Sequence, residues 1–489
     1  MSIPRLPAYR LLLSSLLLLG AMTSDAESDD GGHAHAARGS HFNIISLKRP
    51  TVVLLASSGD LNGDGTTDLL LFHKPSRESF EKTCSIYFQQ GGIFASEPQA
   101  EIRLGKNISA VDIDDVDSNG MDELCGFDSE GMVVFKPTTD SAAKISRRVQ
   151  HQTLLPRSSR RLVEVNWTAD LNSDNKVDVI LPVVDGFRLF LSNGKSGFLE
   201  SREFEFPLIA SVAEEGGQDH LSYRLPMIEF NDFDKDKKTD VGMFDIERMD
   251  FILTGGSDSP TRHVSAPLIR EFTKDFIAAT DFRDLNADGV PDAVIALMSQ
   301  KKDLESEVRI YLGNRDFSYG SRPAHTYGGK ARLVLPVFLD ATGDGKMEML
   351  LQDISVGFSF FINYFIANRI AVEAELRKLG SDGRYEDSPS VSRTIYISVS
   401  DSGSEPARGT GDFNGDGLED LAVGTSEDQL SFYFANHVEI LPNEPDSQLR
   451  VPAYGDMTTM DLNSDGRTDI VITYPDKAKQ NLTTLLLSK

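Results

Sequence analysis

The sequence predicts an all-β fold, a β-propeller of eight four-stranded blades with seven as the alternative. Three observations carry that prediction. An acidic loop pattern recurs eight times along the 489-residue chain, starting at Asp60, Asp115, Asp170, Asp232, Asp284, Asp340, Asp412 and Asp461. The starts are separated by 55, 55, 62, 52, 56, 72 and 49 residues, a period that suits four short strands with their turns. Each loop runs straight into a short β-type apolar segment, as at Leu69–Phe72, Val179–Val183, Ala293–Leu297 and Ile470–Tyr474.

A second strand with alternating character follows in most units, as in Phe187–Leu191 and Val308–Leu312. Two stretches in the longest unit need arbitration. Ile370, Val372, Ala374 and Leu376 alternate with charged residues, so that segment is expected to be a strand. The apolar run Val356–Ala367 is too short to span a membrane and is likewise read as a strand following the sixth loop. At the ends, two strands precede the first loop (Phe42–Leu47 and Thr51–Ala56) and two follow the last (Ile470–Tyr474 and Thr484–Leu487). Two plus two completes one blade, closing the ring with strands from both termini and leaving no exposed edge there.

The loop pattern is Asp-x-(Asp/Asn)-x-(Asp/Asn)-Gly-x-x-Asp. In four nearly interchangeable copies, the oxygen-bearing positions 1, 3, 5 and 9 are Asp60, Asn62, Asp64 and Asp68; Asp284, Asn286, Asp288 and Asp292; Asp412, Asn414, Asp416 and Asp420; and Asp461, Asn463, Asp465 and Asp469. Calcium takes six to eight oxygens, which requires a tightly curled backbone that turns alternate positions inward. Glycine at position 6 permits the curl, a carbonyl near position 7 adds a ligand, and the position 9 carboxylate closes the shell. An EF-hand opens in the same way but closes with Glu at position 12 between helices. A single such cluster is equally an ordinary turn. Eight copies with an acid kept at position 9 favour calcium, because a turn by itself has no evident use for that acid.

Four copies depart from the pattern. The second (Asp115, Asp117, Asn119, Glu123) closes with Glu. The third (Asp170, Asn172, Asp174, Asp178) has Asn175 for glycine, a residue that tolerates the left-handed backbone. The fourth (Asp232, Asp234, Asp236, Asp240) carries Lys235, Lys237 and Lys238 among its carboxylates, which predicts partial self-neutralisation. The sixth (Asp340, Thr342, Asp344, Glu348) offers only a hydroxyl at position 3 and is expected to bind most weakly. Eight calcium ions would bring the formal net charge from −26 to −10.

That acidity excludes nucleic acid as a partner class, since phosphate binding needs clustered Lys and Arg. The one basic island, Lys144 to Arg161, reads first as a solvated loop and second as a docking site for an acidic partner. Residues 1–26 read as a signal peptide, with Arg5 and Arg10 before the apolar stretch from Leu11 and a small-x-small site ending at Ala26. A flexible tail over 27–41 and the propeller over 42–489 follow, and the chain is expected in a secreted, periplasmic or cell-surface setting. The two cysteines, Cys84 and Cys125, are either a disulfide or two buried thiols.

The best copy, Asp412 to Gly424, resembles the FG-GAP and VCBS repeats of integrin α-subunit propellers and of many secreted bacterial proteins. The resemblance covers 42–489, although the Phe-Gly and Gly-Ala-Pro dipeptides of the integrin repeat are mostly missing. It implies calcium held in hairpin loops on one face and a role in adhesion or recognition of a protein or surface ligand. A calcium-stabilised lectin is the alternative, with Trp167 the only tryptophan for stacking a sugar, and an accessory of a secreted polysaccharide-active system is the second alternative. No nucleophile elbow, HExxH or phosphate loop is present, so no catalytic residue and no enzymatic activity are expected.

Overall fold

Alternation of apolar and polar residues, broken at each acidic loop, gives the described residues a regular secondary structure that is almost all β-strand. The computed structural model describes residues 41–136, 144–194, 197–206, 209–215, 218–254, 262–267, 276–299, 305–380, 382–400 and 404–489. The expected signal peptide and most of the tail lie outside them.

Eight sheets make the blades, each built on four antiparallel strands that are sequential in all but the last. The first shows the plan: Val52–Gly59 is innermost, Asp68–Lys74 second, Thr83–Tyr87 third and Ala100–Arg103 outermost. Second strands are buried along their whole length in most blades, as at Asp68–Lys74, Asp178–Val183 and Asp292–Ser299, which is why they read as unbroken apolar runs. Every acidic loop joins an innermost strand to a second strand, so all eight lie on one face of the ring. The turns from second to third strands lie on the other face.

Apolar side chains of adjacent blades interlock in the seams. Phe244, Phe251, Phe282 and Phe317 fill the seam between the fourth and fifth blades. Trp167 is 4% exposed and packs edge-on against Phe127 between the second and third. Two additions decorate the plan. Val163–Glu164 adds a short parallel strand inside the second blade, and Ile209–Glu215 with Gln218–Arg224 forms a separate hairpin before the fourth.

Ring closure differs from the expected two plus two. Phe42–Lys48 alone crosses over and pairs with Leu482–Ser488 as the outer strand of the last blade. Asp456–Met460, Asp469–Thr473 and Leu482–Ser488 supply the other three strands. The segment after Thr51 instead begins the first blade, because each loop needs its own innermost strand ahead of it, and Asp456–Met460 serves the last loop in that way. Closure is therefore three plus one. Phe42 anchors it, 1% exposed and with its ring centroid 4.8 Å from that of Phe432.

The run Val356–Ala367 corrects a second expectation. The sixth blade's second strand ends at Ser355, and Phe358–Phe365 is a helix. Phe360 stacks on Tyr364 and Phe361 on Phe365, contacts between residues four apart that a strand would hold about 13 Å from one another. Arg369–Arg377 then forms a strand, as its alternation predicts. Cys84 and Cys125 are separate buried thiols in the first and second blades. Among the described residues no helix is long and apolar enough to cross a membrane.

Candidate metal centres

All eight loops fold on one template of hydrogen bonds. The position 1 carboxylate accepts the N–H of position 6 in every copy, from Gly65 onto Asp60 at 2.8 Å to Gly466 onto Asp461 at 3.0 Å. The side chain at position 5 likewise accepts the N–H of position 7 throughout, as Asp64 does from Thr66 at 2.9 Å. Positions 4 and 6 both take positive φ in all copies. Position 6 was legible from its glycines. Position 4 was not, since Ser118, Ser173, Lys235, Ala287 and Ser464 occupy it in five loops.

Neighbouring loops are tied to one another. The N–H of Asp122 donates to the carbonyl of Asp60 at 2.8 Å, and Asp122 Oδ2 accepts the N–H of Asp60 at 2.8 Å. The same backbone link joins Glu419 to Asp340 and Thr468 to Asp412. Across the closure, Gln89 Nε2 donates to the carbonyl of Leu462 at 2.8 Å.

The position 9 acid has a structural use that the sequence did not reveal. Asp68 Oδ2 accepts the N–H of Leu61 within its loop at 3.0 Å, and Oδ1 accepts that of Gln89 beyond the third strand, also at 3.0 Å. Asp178, Asp240, Asp292, Asp420 and Asp469 repeat this double pin. An acid at this position is thus required by the blade itself, and its recurrence alone is no proof of metal. Burial pushes the carboxyls of Asp68, Asp178, Asp240 and Asp469 up to about 6, and those of Asp292 and Asp420 up to about 8. These shifts mark buried oxygens that lack a compensating positive charge. A carboxylate oxygen that accepts one N–H keeps a further lone pair for a cation.

Two loops gather three carboxylates with one oxygen each mutually within 4.8 Å: Asp115, Asp117 and Glu123 in the second, and Asp232, Asp234 and Asp240 in the fourth. These clusters can hold a metal ion, and each contains a buried oxygen with no hydrogen-bond partner, Glu123 Oε2 and Asp232 Oδ1. That orphaned acceptor fits a cation. In the fourth loop one lysine reaches the neighbouring loop and another pairs within its own. Lys235 Nζ donates to the carbonyl of Asp288 in the next loop at 2.9 Å, and Lys238 lies 3.5 Å from Asp236 at the rim. In the first, third, fifth, seventh and eighth loops position 3 is Asn. Its amide oxygen accepts the N–H of position 5, as Asn62 does from Asp64 at 2.8 Å, beside the carboxylates of positions 1, 5 and 9. In the sixth, Thr342 Oγ1 donates to Glu348 Oε1 at 3.2 Å, and burial raises the Glu348 carboxyl to about 7.

Sequence reasoning missed several partly buried acids on inner strands. Asp112 accepts the N–H groups of Trp167 and Thr168 at 2.7 and 3.0 Å and so clamps the second blade to the third. Glu164 accepts from Ser57. The basic island is spent in part on ion pairs: Arg147 grips Asp128 with two nitrogens at 2.7 and 2.9 Å, and Arg160 pairs with Glu78 and covers Phe80.

On the face away from the loops, the helix Phe358–Phe365 turns Phe360 and Tyr364 toward the sixth blade. Phe358, Phe361, Phe365 and Ile366 remain exposed, Phe358 by 81%. Beneath it, between the sixth and seventh blades, lies a cavity of about 60 Å³ lined mainly by Leu335, Ile354, Ile370, Val372, Val423 and Tyr454.

No family model matches this sequence, and no curated protein matches it. Among solved structures it is similar to a lectin of Agrocybe aegerita that recognises non-reducing terminal N-acetylglucosamine, at 14% identity over 75% of this chain and 90% of that one, with a TM-score of 0.40. It is also similar to the biofilm matrix protein Bap1 of V. cholerae, at 11% identity over 90% and 88% of the two chains, with a TM-score of 0.41. A rhamnogalacturonan lyase of Bacillus licheniformis matches at 11% identity over 92% and 76%, with a TM-score of 0.33. None of these likenesses carries an inference about ligand or activity.

Proposed function

We propose that this protein is an exported propeller whose acidic loops are structural calcium sites, of the FG-GAP/VCBS type, and that it works as a recognition or adhesion module rather than an enzyme. The observation that supports calcium is a single hydrogen-bond template shared by eight loops. It presents oxygens from positions 1, 3, 5 and 9 and leaves buried carboxylate oxygen unpaired at Glu123 and Asp232. Asp60, Asn62, Asp64 and Asp68 and their counterparts would hold the ion, which would supply positive charge to a ring of oxygens and tie inner to second strands.

The recognition half of the reading draws on the exposed aromatic helix. Apolar side chains held in water mark contact sites, and the stretch Val356–Asn368 carries no charge in a chain that is 25% charged. A protein or surface ligand fits this face. Carbohydrate is disfavoured at Trp167, which is buried in a seam, and the cavity beneath the helix is mainly apolar.

Two measurements test the proposal. Isothermal calorimetry with calcium counts the sites. Binding of the labelled protein to the surface of cells that export it, compared with a Phe361→Asp/Phe365→Asp variant, tests the face. Equal binding by both proteins would remove the helix from the reading.

A further inference from the structure

We infer that Lys136 is the resident cation of the second loop, and that calcium enters this loop only by displacing its ammonium. This rests on the calcium reading above. In six blades the position 9 acid receives the N–H of the residue two places beyond the third-strand partner of position 10: Leu421 pairs with Tyr433 and Ala435 donates to Asp420, and Ile470 pairs with Leu486 and Ser488 donates to Asp469. Leu124 of the second blade pairs with Phe135, and two places after Phe135 the sequence has Pro137, a residue type with no N–H to give. The same blade has Glu123 in place of the aspartate.

Lys136 supplies the donor that the proline removes. Its Nζ lies 2.7 Å from Glu123 Oε1 and also bonds Asp117 Oδ2. These are the position 9 and position 3 groups, so the ammonium bridges two of the three carboxylates that would hold an ion. Glu123 is 2% exposed, and its other oxygen has no hydrogen-bond partner, so one buried acceptor stays unpaired beside the ammonium's site. Lysines within other loops act differently. Lys176 and Lys346 stand at position 7 and pair with the position 5 acid at the rim, at 2.6 and 3.4 Å.

Charge balance makes the consequence concrete. The loop's three carboxylates are compensated by one positive charge without metal, whereas a calcium ion must break two charge-assisted contacts and expel the lysine into solvent. The second loop therefore fills only at calcium concentrations above those that saturate loops whose cluster holds no lysine.

The test is equilibrium dialysis of ⁴⁵Ca against the full chain and its Lys136→Met and Lys136→Arg variants. Over a window of free calcium, Lys136→Met is expected to hold one more ion per chain than wild type, its extra site tighter on the order of tenfold. Lys136→Arg should keep the wild-type count. In EGTA the Met variant should melt below wild type, because its three carboxylates have lost their cation. Identical binding curves for wild type and Lys136→Met would overturn the inference while leaving the calcium reading intact. No bound calcium in any of the three proteins would instead sink that reading, and the inference with it.

Discussion

Replacing Phe42 with alanine should loosen the whole ring, because one strand from the N-terminus makes the closure. Phe42–Lys48 pairs along its length with Leu482–Ser488, and only Phe42 and Leu47 of the strand are buried. The Phe42 ring sits within the cluster that joins the last two blades, its centroid 4.8 Å from that of Phe432 and 6.2 Å from that of Phe413. A buried phenylalanine covers roughly 200 Å², worth about 5 kcal/mol at 25 cal/mol per Å². Truncation to alanine in a packed core costs about 3–5 kcal/mol. Ile44 is the internal control, on the same strand but 49% exposed, and Ile44→Ala should cost under about 1 kcal/mol. Guanidinium unfolding followed by circular dichroism reads both. Size-exclusion chromatography should show Phe42→Ala self-associating, since a frayed first strand bares the edge of Leu482–Ser488. Equal midpoints for the two variants would refute the claim that this seam holds the ring shut.

Two further outcomes follow from the loops. A Cβ at Gly417 would meet nothing within 4 Å, so Gly417→Ala isolates the cost of φ +84° and should destabilise by about 1 kcal/mol, while Lys237→Gly should stabilise by about 0.5–1 kcal/mol by relieving φ +70°. Denaturant midpoints that do not move in these opposite directions would contradict the left-handed assignment. In EGTA, stability should fall as pH rises. The buried position 9 acids have folded values above the ordinary 3.8, about 6 for Asp68 and Asp178 and about 8 for Asp292 and Asp420, so the folded state binds more protons between about pH 4 and 8. Calcium should reverse the trend by favouring the ionised carboxylates, and a melting temperature that rises with pH in EGTA would contradict the burial of these groups.

The blade count and the loop positions were legible because each loop carries its own strand-forming run and a fixed spacing of acids. The closure was misread for a local reason: nothing in the residues near Thr51 distinguishes the first blade's inner strand from the last blade's missing pair. Only the place of Asp456–Met460 ahead of the final loop decides it. The helix Phe358–Phe365 was hidden by an apolar run that fits either period, with aromatic pairs four apart that share a face in a strand as well as in a helix. At the loops, position 9 was read as a ligand alone, whereas Asp68 and its counterparts also pin each loop to its third strand. That role depends on N–H groups such as those of Gln89 and Ser192, about fifteen to twenty residues downstream, which no spacing rule exposes. Lys136 escaped notice for the same reason, lying outside the loop pattern it completes.

Differential scanning calorimetry across a calcium titration, with EGTA and magnesium as references, tests the central claim most directly. Each site filled at a hundred times its dissociation constant contributes about 2.7 kcal/mol to the folded state, so several sites together should raise the melting temperature steadily with free calcium and well beyond the effect of magnesium. A melt that is the same in calcium and in EGTA would show that the acidic loops are held by their hydrogen bonds alone.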